Sequence, residues 1–357
     1  MSSKILSSKA IPELQPNIEL DAIAQVGFKY PFVATTSEDA VFWKTQCRTA
    51  LGEVIGFMDT SAVSPDPEII EEVDKGEYIR RKVVIRTSEY SLMPVYLLIP
   101  KGIKGSAPVA IAYAGHGYGV KDIVGLWENG EERDTADGYH DDFGVKLCRR
   151  GFLVAAPEIA CFGERQNDYS YLNEGVPGPV PTTCHNASTY AFMLGTSILG
   201  MRVRDGMRLI DYLQTVPEAD SSRVGVMGIS GGGMLTFYHT AMDPRIGACV
   251  VSGYYSSLRS SVLAMNHCTC NFAPGLYTIG EHTDIAALIL PRPMLIEAAT
   301  HDEIFPIAIV RKSVEKAREI CKILGGNSDN DVELDEFEGR HRISGRRSYD
   351  FLWEKLS

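Results

Sequence analysis

The sequence predicts an α/β fold in which a mostly parallel, twisted sheet carries helices on both faces. Two observations predict it. Short, continuous apolar runs, such as those at 108–114 and 246–252, are typical of strands that are buried on both faces. Stretches with helical spacing separate these runs, and strands that alternate with helices form parallel sheets.

The elements can be placed in chain order. A strand pair at 82–87 and 93–99 opens the sheet, after a connection at 59–78 that is rich in proline and acidic residues. The later strands are expected at 108–114, 152–157, 223–229, 246–252, 293–298 and 332–337. The last of them is more polar, which favours a position nearer an edge. The helices are expected at 38–58, about 188–216, 232–241, 306–324 and 343–355.

Two units are predicted: an N-terminal helical extension at 1–78 and a catalytic domain at 79–357. The helix at 38–58 shows apolar residues at helical spacing: Val41, Phe42, Cys47, Leu51, Val54 and Ile55. It either caps the site or builds a dimer interface. Segments at about 158–187 and 253–290 interrupt the alternation of strands and helices. Such long insertions are typical of lids or binding loops, and we expect them beyond the carboxyl ends of the strands.

Charge and hydropathy exclude several classes of partner. The 357-residue chain has a formal net charge of -11, and an acidic surface repels phosphate backbones, so nucleic acid is not an expected partner. No apolar run approaches the roughly 18 residues of a membrane span, so no membrane association is expected. Residues 1–16 lack the apolar core of a signal peptide, which predicts a cytoplasmic location. A homo-oligomer remains an open alternative.

The eight cysteines are scattered, and free buried thiols are the expectation in a reducing compartment. The one cluster is His267-Cys268-Thr269-Cys270. It has the composition of half a metal site, but no second Cys/His pair stands at zinc-like spacing in the sequence. A packed loop is the preferred interpretation, and no metal is predicted.

The strongest motif is GISGGG at 228–233, directly after an apolar strand and before a predicted helix. This is the context of a nucleophile elbow, the G-x-S-x-G turn of the α/β-hydrolase fold. Such a turn holds its serine, here Ser230, in a strained conformation with an exposed hydroxyl. Side chains at Gly228 or Gly232 would collide with the neighbouring elements. The Gly231 amide is placed to donate to a developing oxyanion.

A serine hydroxyl needs a base, and in this fold the acid and the histidine follow the nucleophile in that order, each after a later strand. Asp302 stands just past the strand at 293–298, with Glu303 as its rival. His341 is the only histidine after the last strand and is the predicted base. His301, beside the acid, is expected in a loop or on the substrate side.

The second oxyanion donor should come from the loop after the strand at 108–114, which reads GHGYG at 115–119. The Tyr118 amide is the predicted donor, and Gly117 is the alternative. Together these groups predict attack by Ser230, an acyl-enzyme and its hydrolysis by water. Neither a metal nor an organic cofactor is needed for that chemistry.

The chain resembles the branch of α/β hydrolases that contains dienelactone hydrolases and acetyl xylan esterases. The resemblance covers about 80–357 and rests on GHGYG at 115–119, APE at 156–158, FGER at 162–165, RDGM at 204–207, GISGG at 228–232, PRP at 291–293, Asp302 and GRH at 339–341. It implies a serine esterase that acts on a carboxylic ester, possible substrates being acetyl or other short acyl esters of a carbohydrate or small molecule. Glucuronoyl esterases look similar but tend to carry a glutamate after the sixth strand, where this chain has Ser252-Gly253-Tyr254-Tyr255.

The loop with Glu158, Glu164 and Arg165 either binds a polar substrate group or forms a buried ion pair, and the ion pair is preferred. Candidates to line the substrate pocket are His116, Trp127, Glu158, Tyr254, Tyr255 and His301. Two other functions stay open: a peptidase or amidase on the same triad, and a non-catalytic binding protein with a hydrolase fold.

Overall fold

The computed structural model describes residues 11–56, 63–168 and 183–357. The strands are β1 (Glu68–Asp74), β2 (Tyr78–Ser88), β3 (Ser91–Pro100), β4 (Ala107–Tyr113), β5 (Leu153–Pro157), β6 (Ala219–Ile229), β7 (Ile246–Ser252), β8 (Met294–Ala299) and β9 (Val332–Phe337). The α-helices are α1 (Pro16–Ala24), α2 (Ser37–Ile55), α3 (Phe143–Arg150), α4 (Thr183–Met193), α5 (Ile198–Leu213), α6 (Gly231–Met242), α7 (His282–Ala286), α8 (Ile307–Ile323), α9 (Ser328–Asp331) and α10 (Ser348–Leu356).

The strands form one nine-stranded sheet in the order β1-β2-β3-β5-β4-β6-β7-β8-β9. The pairs β1–β2, β2–β3 and β3–β5 are antiparallel, and the pairs from β4–β5 to β8–β9 are parallel. The predicted mostly parallel sheet is therefore confirmed. The more polar β9 lies at an edge, as its composition indicated.

Helices cover both faces, so the core has two layers. On β4, Val109 and Ile111 belong to the buried cluster that includes residues of α2, α5, α6 and α8, whereas Ala110 and Ala112 belong to the cluster that includes residues of α3 and α10. This alternation is the two-residue period of a strand, and here both faces are apolar because both are covered.

The carboxyl ends of the parallel strands all lie on the same side of the sheet. Tyr113 at the end of β4 pairs with Gly228, and Ile229 at the end of β6 pairs with Ser252 at the end of β7. Ala299 at the end of β8 pairs with Phe337 at the end of β9. The loops that follow these strands are thus neighbours, although they are distant in sequence.

Three predictions about the elements need correction. The helix expected at about 188–216 consists of α4 and α5, and part of the connection at 59–78 is β1, which extends the sheet. On α2, Cys47, Leu51 and Ile55 are buried, but Val41 and Phe42 are exposed. Trp43 takes part in the buried face instead, where its ring packs edge-on against Phe32.

None of the helices in the described ranges combines the length and the apolar character that crossing a bilayer requires.

Candidate active site

Ser230 stands at the turn between β6 and α6 with φ 56° and ψ -117°. A positive φ is uncommon for a residue other than glycine and indicates strain that the surroundings hold in place. A Cβ on Gly228 would lie 2.5 Å from the Gly232 carbonyl oxygen, and a Cβ on Gly232 would overlap the Tyr113 carbonyl. Both glycines are therefore required by the close approach of strand and helix, as the motif predicted.

Asp302 and His341 form a hydrogen-bonded pair. Nδ1 of His341 lies 2.7 Å from Oδ2 of Asp302, while Oδ1 accepts bonds from the amides of Ile304 at 2.9 Å and Phe305 at 3.1 Å. Burial alone would raise the pKa of Asp302, but the bond from His341 and those two amides outweigh it, so the pKa lies below its usual value. An ionised Asp302 holds the proton of His341 on Nδ1 and leaves Nε2 free to act as a base.

The imidazole and the serine turn meet at the end of β7. The Ser230 amide donates to the Ser252 carbonyl at 3.0 Å. At the next residue, a Cβ on Gly253 would lie 2.8 Å from Cε1 of His341. Nε2 of His341 is buried and has no hydrogen-bond partner among the described residues. Ser230 and His341 therefore both contact the segment Ser252-Gly253. The rings of Tyr139 and Phe305 flank the imidazole of His341, with centroids 5.7 and 6.0 Å from it.

The loop after β4 is held by a histidine that the sequence analysis did not single out. Nε2 of the fully buried His140 accepts a bond from the Gly115 amide at 2.7 Å, and its Nδ1 lies 2.7 Å from Asp122 Oδ2. Arg133 in turn donates to Asp122 at 2.9 Å. The amides of Gly117 and Tyr118 have no acceptor within the described parts of the chain. His140 thus holds the start of this loop in place, while the amides of Gly117 and Tyr118 stay available as hydrogen-bond donors.

A sequence model of the Abhydrolase family matches residues 21–319, well over half of the chain. The chain belongs to the Abhydrolase family. Among curated proteins, this Abhydrolase family member is similar to "Putative hydrolase YtaP" of Bacillus subtilis (strain 168). The two are 25% identical over 299 residues, which cover 81% of this chain and 90% of the relative.

Solved structures show the same fold. A "putative acetyl xylan esterase" from Bacteroides fragilis NCTC 9343 matches with a TM-score of 0.71 and 17% identity, over 94% of this chain and 83% of that chain. The "Glucuronoyl Esterase from Solibacter usitatus" matches with a TM-score of 0.61 and 16% identity, over 87% and 90%. The predicted α/β-hydrolase fold of this Abhydrolase family member is confirmed.

Two predicted pocket residues of the family member lie in its core instead. Tyr254 and Tyr255 are each 1% exposed and pack with Phe237 and His282. Both residues pack on helices instead of facing solvent, since Tyr254 lies against Gly233 of α6 and the Tyr255 hydroxyl donates to the Ser313 carbonyl of α8 at 3.3 Å.

Glu158 is also no pocket residue. Its carboxylate is buried and accepts bonds from the amides of Val120 at 3.1 Å and Glu164 at 3.3 Å. The preferred buried ion pair is present, but its acid is Asp205, which pairs with Arg165 at 2.8 Å, while Glu164 pairs with Lys82 at 2.7 Å. Burial raises the pKa of Glu158 to about 7, although both amides oppose the shift. Glu158 therefore ties the loop after β4 to the loop after β5.

The remaining candidates lie in three different places. His116 packs against Gly231 and lines a cavity of about 470 Å³ beside the serine turn. Trp127 is 40% exposed and shares a separate, open groove with Tyr118. His301 is exposed, and its amide donates to the Gly339 carbonyl at 2.9 Å. Of these candidates, His116 is the one that meets the serine turn.

The same cavity gathers sulfur ligands. Cys184, Cys268 and Cys270 meet His116, with all four ligand atoms within 4.8 Å of one another. The prediction of a packed loop at 267–270 does not include this cluster, because His116 and Cys184 are far from that loop in the sequence. Only the Cys-x-Cys spacing at 268–270 signalled it, and His267 is not one of its members.

Proposed function

We propose that this protein is a serine hydrolase that cleaves a carboxylic ester through an acyl-enzyme, with Ser230 as nucleophile, His341 as base and Asp302 as the acid that orients it. The observation that carries the proposal is the meeting of the Asp302–His341 pair and the strained Ser230 turn at Ser252-Gly253. The side chains of such a triad come from different loops, so this convergence is specific.

Each step of the mechanism uses a group in this arrangement. Nε2 of His341 takes the proton of Ser230 as its oxygen attacks the carbonyl carbon, and then gives that proton to the leaving alcohol. The Gly231 amide at the start of α6 and the amide of Tyr118, with Gly117 as the alternative, donate to the tetrahedral oxyanion. One such donor contributes roughly 3–4 kcal/mol to the transition state. Water then attacks the acyl-enzyme by the same route.

The substrate class within the proposal is a short acyl ester of a carbohydrate or small molecule. The cavity beside Ser230 mixes polar and apolar side chains, including Phe162, Gln166 and Asn266, as a site for a hydroxylated alcohol group requires. Two solved structures with the same fold are named for esterases that act on carbohydrate esters. Ser252-Gly253 offers no carboxylate at the position where glucuronoyl esterases tend to carry one, which favours the acetyl ester.

The proposed location is the cytoplasm. All eight cysteines are free thiols, seven of them buried, and unpaired thiols are typical of proteins in a reducing compartment.

Labelling with a fluorophosphonate probe tests the nucleophile. We expect one label per chain in the wild type and none in Ser230→Ala. Ser222→Ala, which changes an exposed serine within β6, should be labelled like the wild type. Labelled Ser230→Ala protein would show that the nucleophile is another residue.

Rates on three substrates test the bond that is cleaved. We expect turnover of p-nitrophenyl acetate and of acetylated xylo-oligosaccharides, and little turnover of amino-acid p-nitroanilides. Faster cleavage of the anilides would establish the peptidase alternative. A labelled protein that cleaves none of the three would contradict the proposed substrate class.

A further inference from the structure

A cluster of three thiols and one imidazole lies beside the serine turn. Sγ of Cys270 is 3.4 Å from Sγ of Cys268 and 3.6 Å from Nε2 of His116, and Sγ of Cys184 completes the group. Cys184 and Cys270 are buried, and the other two are half-buried. The four residues come from three separate segments, namely the loop after β4, the start of α4 and the segment at 268–270, so the fold alone brings them together.

These distances fit a tetrahedral metal site. Zinc binds thiolate sulfur at about 2.3 Å and imidazole nitrogen at about 2.0–2.1 Å, and tetrahedral angles then separate neighbouring ligand atoms by roughly 3.5–3.8 Å. Soft thiolates exclude magnesium and calcium as the preferred ion. We propose that His116, Cys184, Cys268 and Cys270 bind one Zn²⁺ ion in a closed, structural site.

The charge around the cluster supports this proposal. Binding removes one proton from each of three thiols, so that three thiolates and Zn²⁺ carry a net charge of -1. Arg202 is 1% exposed, and its guanidinium lies 3.5 Å from Sγ of Cys184. The adjacent carboxylate on α5, Asp205, pairs with Arg165 and Arg204 instead. The zinc-thiolate centre would supply the countercharge that a buried arginine requires.

The geometry also indicates what the ion does. Cys184 lies in the insertion at 158–187, and Cys268 and Cys270 lie in the insertion at 253–290. His116 packs on Gly231, since a Cβ on Gly231 would lie 2.9 Å from Cε1 of the His116 imidazole. Because four protein ligands fill the tetrahedron, the ion has no open position for substrate and acts as a clamp. It fastens both insertions to the loop after β4. The metal site does not rest on the proposed hydrolase activity.

Metal analysis of the full chain tests the proposal. After reconstitution and gel filtration, we expect one zinc per chain in the wild type, in Ser230→Ala and in Cys148→Ala, which removes a buried thiol outside the cluster. Cys184→Ala and Cys270→Ala should retain less than a tenth of that zinc. A wild type that holds no zinc, or ligand variants that hold as much as Cys148→Ala, would overturn the proposal.

Two measurements on the wild type keep the test valid if a ligand variant does not fold. Cobalt substitution should give thiolate-to-metal charge-transfer absorption and the intense visible bands of tetrahedral Co²⁺, and chelation should lower the melting temperature. Thiol titration of the denatured protein without reductant should count all eight cysteines. A count of six, with no cobalt spectrum, would indicate a disulfide in the cluster and refute the zinc site.

Discussion

The imidazole of His341 occupies the space that a side chain on Gly253 would fill, since a Cβ there would lie 2.8 Å from Cε1 of the ring. Gly253 has φ +51°, so it accommodates both a left-handed turn and the imidazole of His341, the proposed base. A substitution at Gly253 should therefore displace His341 directly.

Gly253→Ala is expected to lower kcat on p-nitrophenyl acetate by about 10²-fold, because a small displacement of a catalytic group has an effect of that order. The matched control is Gly325→Ala, where φ is +79° and no atom lies within 4 Å of the new methyl group. Both changes carry the cost of a left-handed alanine, about 1–2 kcal/mol in the free energy of unfolding. Equal turnover in the two variants would show that Gly253 does not position the base.

Asp302→Asn is expected to reduce kcat by about 10⁴-fold, because the amide favours the wrong tautomer of His341 and cannot stabilise its charge. Glu303→Gln serves as the control, since the Glu303 side chain is 83% exposed. It should keep a rate close to that of the wild type in the same steady-state assay. The reverse pattern would make Glu303 the acid.

His140→Ala is expected to lower kcat by about 10–100-fold and change KM little, because the Gly115 amide loses its acceptor and the loop with the proposed oxyanion donors shifts. Buried partners left unpaired should also cost about 1–3 kcal/mol in the free energy of unfolding, measured with urea. His282→Ala removes another fully buried histidine that packs with Tyr254. It should be destabilised without the same loss of kcat. Parallel losses of kcat would mean that His140 acts only through stability.

Glu158 should make stability depend on pH. Its pKa is about 7 in the folded protein, above the usual 4.5, so its contribution is fully present below about pH 4.5 and is lost as the pH rises through 7. Glu158→Gln removes this loss. Between pH 5 and pH 8, the difference in the free energy of unfolding, variant minus wild type, should increase by about 1–3 kcal/mol.

The control for this pH dependence is Glu132→Gln. Bonds from Arg80 and Lys75 lower the pKa of Glu132 to about 2, although burial opposes them, so this carboxylate stays ionised from pH 5 to pH 8. Its variant should show little change relative to the wild type across that range. A flat difference for Glu158→Gln in urea titrations would refute the raised pKa.

Much of the fold could be predicted because the strands are short, apolar and regularly separated. The turn at Ser230 and the positions of Asp302 and His341 follow from chain order, since each comes directly after a strand of one parallel sheet. Tyr254 and Tyr255 were misplaced because a sequence does not show whether a loop turns inward. The brace at His140 was missed for a related reason: its partner Gly115 lies in another loop.

By itself, the sequence determined the α/β class, the strand order along the chain and the residues that stand at strand ends, because periodicity and turn chemistry are local properties. Only the tertiary structure decided which loops become neighbours. In that structure the Glu158 carboxylate accepts hydrogen bonds from two backbone amides, and Cys184 lies beside Cys268, Cys270 and His116. Such contacts depend on how a twisted sheet and its covering helices bring distant segments together. A local sequence pattern does not show which distant segments become neighbours.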